Sequence, residues 1–265
     1  MRRDWRRPSL NAVAGVIGFF LVAPTLIVVP MSFSSGQRLE FPPPGFSTRW
    51  YANFFHSSMW TDAAITSVKV ALLTVLVATA LGTLTALGLV RGRFPGKALV
   101  QALVLSPAIV PVVIVAIGTF FVFIRWRLAG TLTGLVLAHT ALALPLVVVT
   151  VGTSLRTLDR NIELAAQSLG AGPWRTFWRI TFPLILPGII AGALFAFVTS
   201  WDEVVVAIFM TSPLFRTLPV VMWSQVRSEI DPTIAAVASL LMAITVLALV
   251  LVVIVRWRAS LRTAT

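Results

Sequence analysis

The 265-residue sequence has no cysteine, which excludes disulfides and thiolate chemistry. It has two histidines and nine acidic residues, and none of these gather at the spacing of metal ligands. No grouping of His, Ser and carboxylate lies near the end of an apolar run, so a membrane-embedded enzyme has no catalytic set here. The Gly-Lys pair in "RGRFPGKAL" is not a phosphate loop. The pattern G-x-x-x-x-G-K-[ST] is incomplete, Ala98 follows Lys97, and the stretch joins two apolar runs rather than a strand and a helix. The chain is therefore not expected to hydrolyse ATP. Charge is scarce throughout: 11% of residues, against about a quarter in a soluble domain. Soluble linkers, low-complexity tails and short-period repeats are also missing.

What is present is apolar sequence. Hydrophobic residues make up 58% of the chain. Apolar runs long enough to span a bilayer recur along its length. The expected class is an all-α membrane protein, a single transmembrane domain over 1–265. Six spans are expected, at 11–32, 64–90, 98–124, 131–154, 183–210 and 233–255. The N-terminal "MRRDWRR" before an apolar run has the flank of a signal peptide. The run continues through "APTLIVVPMSF" without a small-residue cleavage pattern, so it is read as a retained first span. Pro107 and Pro111 should interrupt the third span locally.

The net charge of +12 raises a nucleic-acid partner, but its distribution speaks for topology instead. One set of ends and loops holds fourteen basic residues: Arg2, Arg3, Arg6, Arg7, Arg91, Arg93, Lys97, Arg156, Arg160, Arg175, Arg179, Arg256, Arg258 and Arg262. The alternate loops hold six: Arg38, Arg49, Arg125, Arg127, Arg216 and Arg227. Positive residues stay inside, so both termini and the loop 155–182 are expected in the cytoplasm. The long first outer loop contains "FPPPGFSTRWYANFF". Its prolines enforce extended chain, and "WYANFF" with Trp60 suits an outer interfacial anchor or a surface for an external partner.

The segment "ELAAQSLGAGPWRTFWRITFPLILPG" stands out because it is mixed, charged and helix-broken. Asp159 and Asn161 suit a helix start. Gly170 suits a left-handed helix end and Pro173 the first position of a second helix. In that helix Trp174, Phe177 and Trp178 share one face, and Arg175 and Arg179 another. The expected structure is two short helices with a sharp bend. They present a shelf of small residues, Ala165, Ala166, Gly170 and Ala171, for close packing against another protein. The plainer reading is an amphipathic loop resting on the membrane.

"AAQSLGAGPWRTFWRITFPLILPGI" resembles the EAA loop of permease subunits of ABC importers, with Ala165, Ala166, Leu169, Gly170, Pro183 and Pro187 in register. At the glutamate the sequence departs. That register position is Leu164, and Glu163 lies one residue earlier, a rotation of about 100° on a helix. "GFSTRWYANFF", "SLRTLDRNIELAAQSLGA", "SWDEVVVAIFMTSP" and "TLPVVMWSQVRSEIDPTIAAVASLL" extend the resemblance to spermidine/putrescine-type permeases, over about residues 10 to 257. The resemblance implies a type I importer permease fold in the bacterial inner membrane. It implies that Glu163, Leu164, Ala165, Ala166, Leu169, Gly170 and Ala171 couple to an ATPase subunit. It further implies a second permease, two ATP-binding cassette subunits holding ATP and Mg, and an extracytoplasmic solute-binding protein. The chain itself would need no cofactor. Membrane lipid is an expected partner and nucleic acid is not. The same branch covers opines and aminophosphonates.

Asp202 and Glu203 are the chemically informative pair for the solute. Counted along the expected fifth span they lie about 30 Å from its cytoplasmic entry at ~1.5 Å per residue. Two adjacent acids at such depth attract a cation, and Trp201 offers a π-face for an ammonium group. The alternative is a helix end satisfied by water, Lys69 or Arg227. Lys69 snorkels outward on this reading, and His139 makes a polar contact inside the bundle rather than a proton relay. Trp223, Arg227 and Glu229 fall in an outer loop, as anchors or as a surface for a binding protein. An ion-coupled secondary transporter would need matched broken helices in two halves, and no such symmetry appears.

Overall fold

The structure is a computed structural model and describes residues 6–228 and 231–262. Arg2, Arg3 and Glu229 of the sequence reading lie outside them. Among the described residues every regular element is helical, and β-pairing is limited to two isolated bridges. Five helices are long and apolar enough to cross a membrane: Leu10–Ser32, Ser58–Arg91, Leu132–Thr157, Pro173–Trp201 and Thr233–Ile254.

Two of the expected spans take a different form. Residues 98–124 do not form one straight helix. Helix α4 (Lys97–Leu105) and helix α5 (Val112–Arg125) meet at 105°. The break runs through a 3-10 turn, Ser106–Ala108, to Pro111, which stands at the start of α5. Proline has no N–H for the helical ladder and its ring collides with the preceding turn. Two prolines four residues apart thus turn a local bend into a corner. The fifth span, expected at 183–210, instead runs from Pro173 to Trp201. Asp202 closes helix α9 (Phe182–Trp201), and a short helix α10 (Val205–Met210) follows.

The helices group into two compact units. One holds the described residues within 1–61 and 221–244. In it α1 (Arg6–Ser32) is apolar all round, and its large side chains from Leu10 to Val22 are exposed, as suits a helix facing lipid or another chain. The proline-rich loop is folded back by a Ser34–Phe46 bridge. Helix α2 (Arg49–His56) is tied down by Trp50 Nε1 donating to the Ser34 carbonyl at 2.8 Å and by Tyr51 bonding Ser32 at 2.7 Å. Phe54 and Trp60 are buried rather than presented outward, while Phe55 is exposed. Arg227 lies over the Trp223 ring at 4.8 Å.

The other unit holds residues 62–220 and the described residues from 245 onward. Its centre is helix α6 (Leu132–Thr157), capped by Thr131, whose hydroxyl accepts from the Gly134 N–H at 3.1 Å. Val147, Val148, Val151 and Leu155 of α6 pack with Ala78, Ala86 and Leu89 of helix α3 (Ser58–Arg91) and with Ile185, Ile189 and Ala196 of α9. Glycines make this approach possible. A Cβ on Gly82 would come within 2.5 Å of Val147 Cγ1, and one on Gly188 would overlap Ser154. Small residues at helix crossings are how membrane helices gain packing without a hydrophobic driving force between them. A second cluster joins Val70, Ala116, Leu135 and Val136 to Val206, Ala207 and Met210 of α10. Asp202 and Glu203 therefore sit between two firmly packed helices.

Candidate functional sites: the broken loop and the acidic pair

The loop takes the predicted shape as far as Pro173; beyond it the expected second short helix is continuous with the membrane helix. Helix α7 (Arg160–Ser168) starts at Asp159, whose carboxylate accepts from the Asn161 N–H at 2.9 Å. Gly170 follows it at φ +86°, the left-handed region that costs glycine nothing. Helix α8 (Pro173–Thr176) begins on its proline. A π-helical turn, Phe177–Thr181, then leads directly into α9. Trp174, Phe177 and Trp178 do gather. Trp178 packs against Trp174 at 5.6 Å, Phe177 at 5.1 Å and Phe182 at 5.0 Å. Arg175 and Arg179 are exposed.

The seven loop residues singled out in the sequence divide into two faces. Leu164, Ala165, Leu169 and Gly170 are exposed, and Leu169 is 90% so. Ala171 is half-buried. Glu163 and Ala166, three residues apart on one helical face, are buried. Glu163 is not on the outward shelf. Its Oε1 accepts from the Thr181 hydroxyl at 2.7 Å, and its Oε2 lies 3.1 Å from Arg91 Nη2 at the end of α3. The Arg91 contact is one of charge, without the alignment of a hydrogen bond. A cavity of about 210 Å³ beside it is lined by Arg91, Arg160, Glu163, Gln167 and Thr181, among others. Sequence reasoning counted Arg91 only as a topological charge and did not single out Thr181. No local spacing links either to Glu163.

At the far end of α9 the three candidate solute residues part company. Trp201 is 2% exposed and stacked on Phe197, ring centroids 5.5 Å apart and 17° from parallel. Its indole N–H is buried without a partner among the described residues. In this conformation the ring offers no open face to a cation. Asp202 is exposed. Glu203 is half-buried, and its Oε1 caps α10 by accepting from the Val206 N–H at 2.8 Å. Both carboxyls lie beyond the last residue of the apolar helix. Desolvation by the surrounding chain raises the pKa of both carboxyls, that of Asp202 although its own surface is exposed, and backbone N–H groups of Val206 and Val205 draw Glu203 part of the way back. Lys69 is exposed on α3 and pairs with neither acid among the described residues.

One turn before the acids, Ser200 Oγ is hydrogen-bonded to Nδ1 of His139 at 2.9 Å. His139 is fully buried. This is the polar contact inside the bundle expected of His139, and it joins α6 to α9. Ser200 went unremarked in the sequence, since a lone serine near a helix end carries no signal.

Comparison with known proteins places this architecture. Residues 78–260 match the family described as "Binding-protein-dependent transport system inner membrane component". The chain is 36% identical to the "Putrescine transport system permease protein PotI" of Escherichia coli K12 over 250 residues, 91% of this chain and 87% of that one. It is 33% identical to the "Spermidine/putrescine transport system permease protein PotC" of the same strain, over 88% of this chain and 87% of the relative. Among solved structures, a bacterial ABC transporter involved in the import of the acidic polysaccharide alginate superposes with a TM-score of 0.70. That match has 15% identity and covers 97% of this chain and 98% of the other, so it speaks to fold alone.

Proposed function

The chain belongs to the family of binding-protein-dependent transport system inner membrane components, a permease rather than an enzyme, and we propose that its solute is a polyamine such as putrescine or spermidine. The observation that carries this choice is the Asp202–Glu203 pair, two adjacent carboxylates past the end of an apolar helix with no basic partner on Lys69. An ammonium chain supplies a counter-charge that no lysine or arginine among the described residues gives them. The relatives named for putrescine and spermidine support the same reading.

In the proposed assembly the chain pairs with a second permease and with two ATP-binding cassette subunits, which hold ATP and Mg and carry out hydrolysis. An extracytoplasmic binding protein delivers the solute. Both termini and the α7 loop lie on the cytoplasmic side. Leu164, Ala165, Leu169, Gly170 and Ala171 present the docking shelf. The exposure of Leu169, a large apolar side chain at a loop tip, supports a protein partner there. ATP binding closes the cassette pair, the loop follows, and the path opens outward to receive solute. Hydrolysis resets it.

The test is solute uptake by the complex in proteoliposomes, across putrescine, spermidine, an opine and an aminophosphonate. Putrescine or spermidine should be taken up. Asp202→Asn with Glu203→Gln should then cut that uptake on the order of tenfold, a loss of about 1.4 kcal/mol of attraction. Uptake of an opine or aminophosphonate alone would keep the permease and replace the solute.

A further inference from the structure

We propose that Arg91, Glu163 and Thr181 form an internal clasp that makes α7 move as one body with α3 and α9. The proposal rests on the coupling reading of the loop and says where the motion goes. Each residue comes from a different element: Arg91 ends α3, Glu163 lies in the first turn of α7, and Thr181 ends the π-helical turn that runs into α9. Both oxygens of the Glu163 carboxylate are engaged, one by the Thr181 hydroxyl at 2.7 Å and one by the Arg91 guanidinium at 3.1 Å. The residue is 9% exposed. Removing Arg91 leaves the Glu163 charge buried without its counterpart, and removing Thr181 leaves one carboxylate oxygen without its donor.

The backbone does not fix α7 by itself. On one side Leu158 and Asp159 are both extended, at ψ 122° and 117°, and break it from α6. On the other side Gly170 at φ +86° breaks it from α8. A nine-residue helix between two such breaks follows whatever its side chains hold. Its two buried side chains are Ala166 and Glu163. The glutamate gives the loop a direct tie to α3, an element that is not its neighbour in sequence. The one-residue offset of Glu163 then has a physical role. It turns the carboxylate inward to the spans while Leu164 takes the outward place. Arg91 and Thr181 are thus positioning residues for coupling and need touch neither nucleotide nor solute.

The test uses the assembled complex in proteoliposomes and reads putrescine taken up per ATP hydrolysed. Arg91→Gln and Glu163→Gln should each lower that ratio at least about fivefold, the low end of a coupling free energy. The charge-exchanged double variant, Arg91→Glu with Glu163→Arg, should recover most of it, which a residue needed only for folding would not do. Single variants with an unchanged ratio overturn the clasp. Should the variants fail to assemble, spin labels at Leu84→Cys in α3 and Gln167→Cys in α7 decide on otherwise native protein. The clasp requires the same distance in nucleotide-free and ATP-bound complexes, and a distance that changes overturns it. Gly170→Trp, outside the clasp, separates this from the parent reading. If it uncouples while the clasp variants do not, only the clasp falls; if it leaves the ratio unchanged, the coupling reading falls.

Discussion

His139 illustrates how a single buried polar atom can be decisive. Its ring is fully enclosed, and Nδ1 has Ser200 Oγ at 2.9 Å. Ser200→Ala removes that partner and leaves a buried ring nitrogen unsatisfied, which costs about 1–3 kcal/mol. The variant should melt at a lower temperature in detergent, with little change in the solute profile of the surviving protein. A melting point equal to the parent's would mean the contact contributes nothing. His139 was legible as a polar contact because a lone histidine in an apolar span must find a partner. Ser200 was not, because the partner is set by how α6 meets α9, and that crossing has no local signature. Arg91, Glu163 and Thr181 follow the same rule. Their types are ordinary at their positions, and only the packing of three elements brings them together.

At the level of elements, the loop was readable almost to the residue from Asp159 to Pro173, whereas its expected second short helix runs on through the π-helical turn into α9. Gly170 and Pro173 act through their own backbones, and a backbone constraint needs no partner to be recognised. The same holds for the corner at Pro107 and Pro111, although its 105° turn exceeds the local bend that two prolines suggest by themselves. The end of α9 was misjudged by nine residues because the apolar run continues past Asp202 into α10, and hydropathy does not register a helix end inside an apolar stretch. Crossings between helices are set by glycine. Gly82→Leu should push α3 from α6 against Val147 and destabilise the protein by about 1–3 kcal/mol. Val147→Ala in the same chain should restore part of the loss, as read by thermal melting. An additive double variant would remove Gly82 from that crossing.

For the molecule as a whole, the proposed placement in the bilayer comes from the asymmetry of its arginines and lysines. The cysteine-free sequence allows a direct check. A single cysteine at Gln167 should react with a membrane-impermeant maleimide in inverted vesicles and not in intact cells, and one at Arg38 should do the reverse. The opposite pattern would invert the topology. The π-helical turn at Phe177–Thr181 also bears on the whole molecule, because it joins the loop to a membrane helix without a break. A wider winding takes up residues at a different angular step from the helices on either side. The azimuth of α8 about the α9 axis is therefore fixed by how many residues the turn holds, more than by which ones. Gain or loss of one residue would swing α8 by about 100°, whereas the shelf on α7, beyond the Gly170 break, takes its aim from the Glu163 side chain in the proposed clasp.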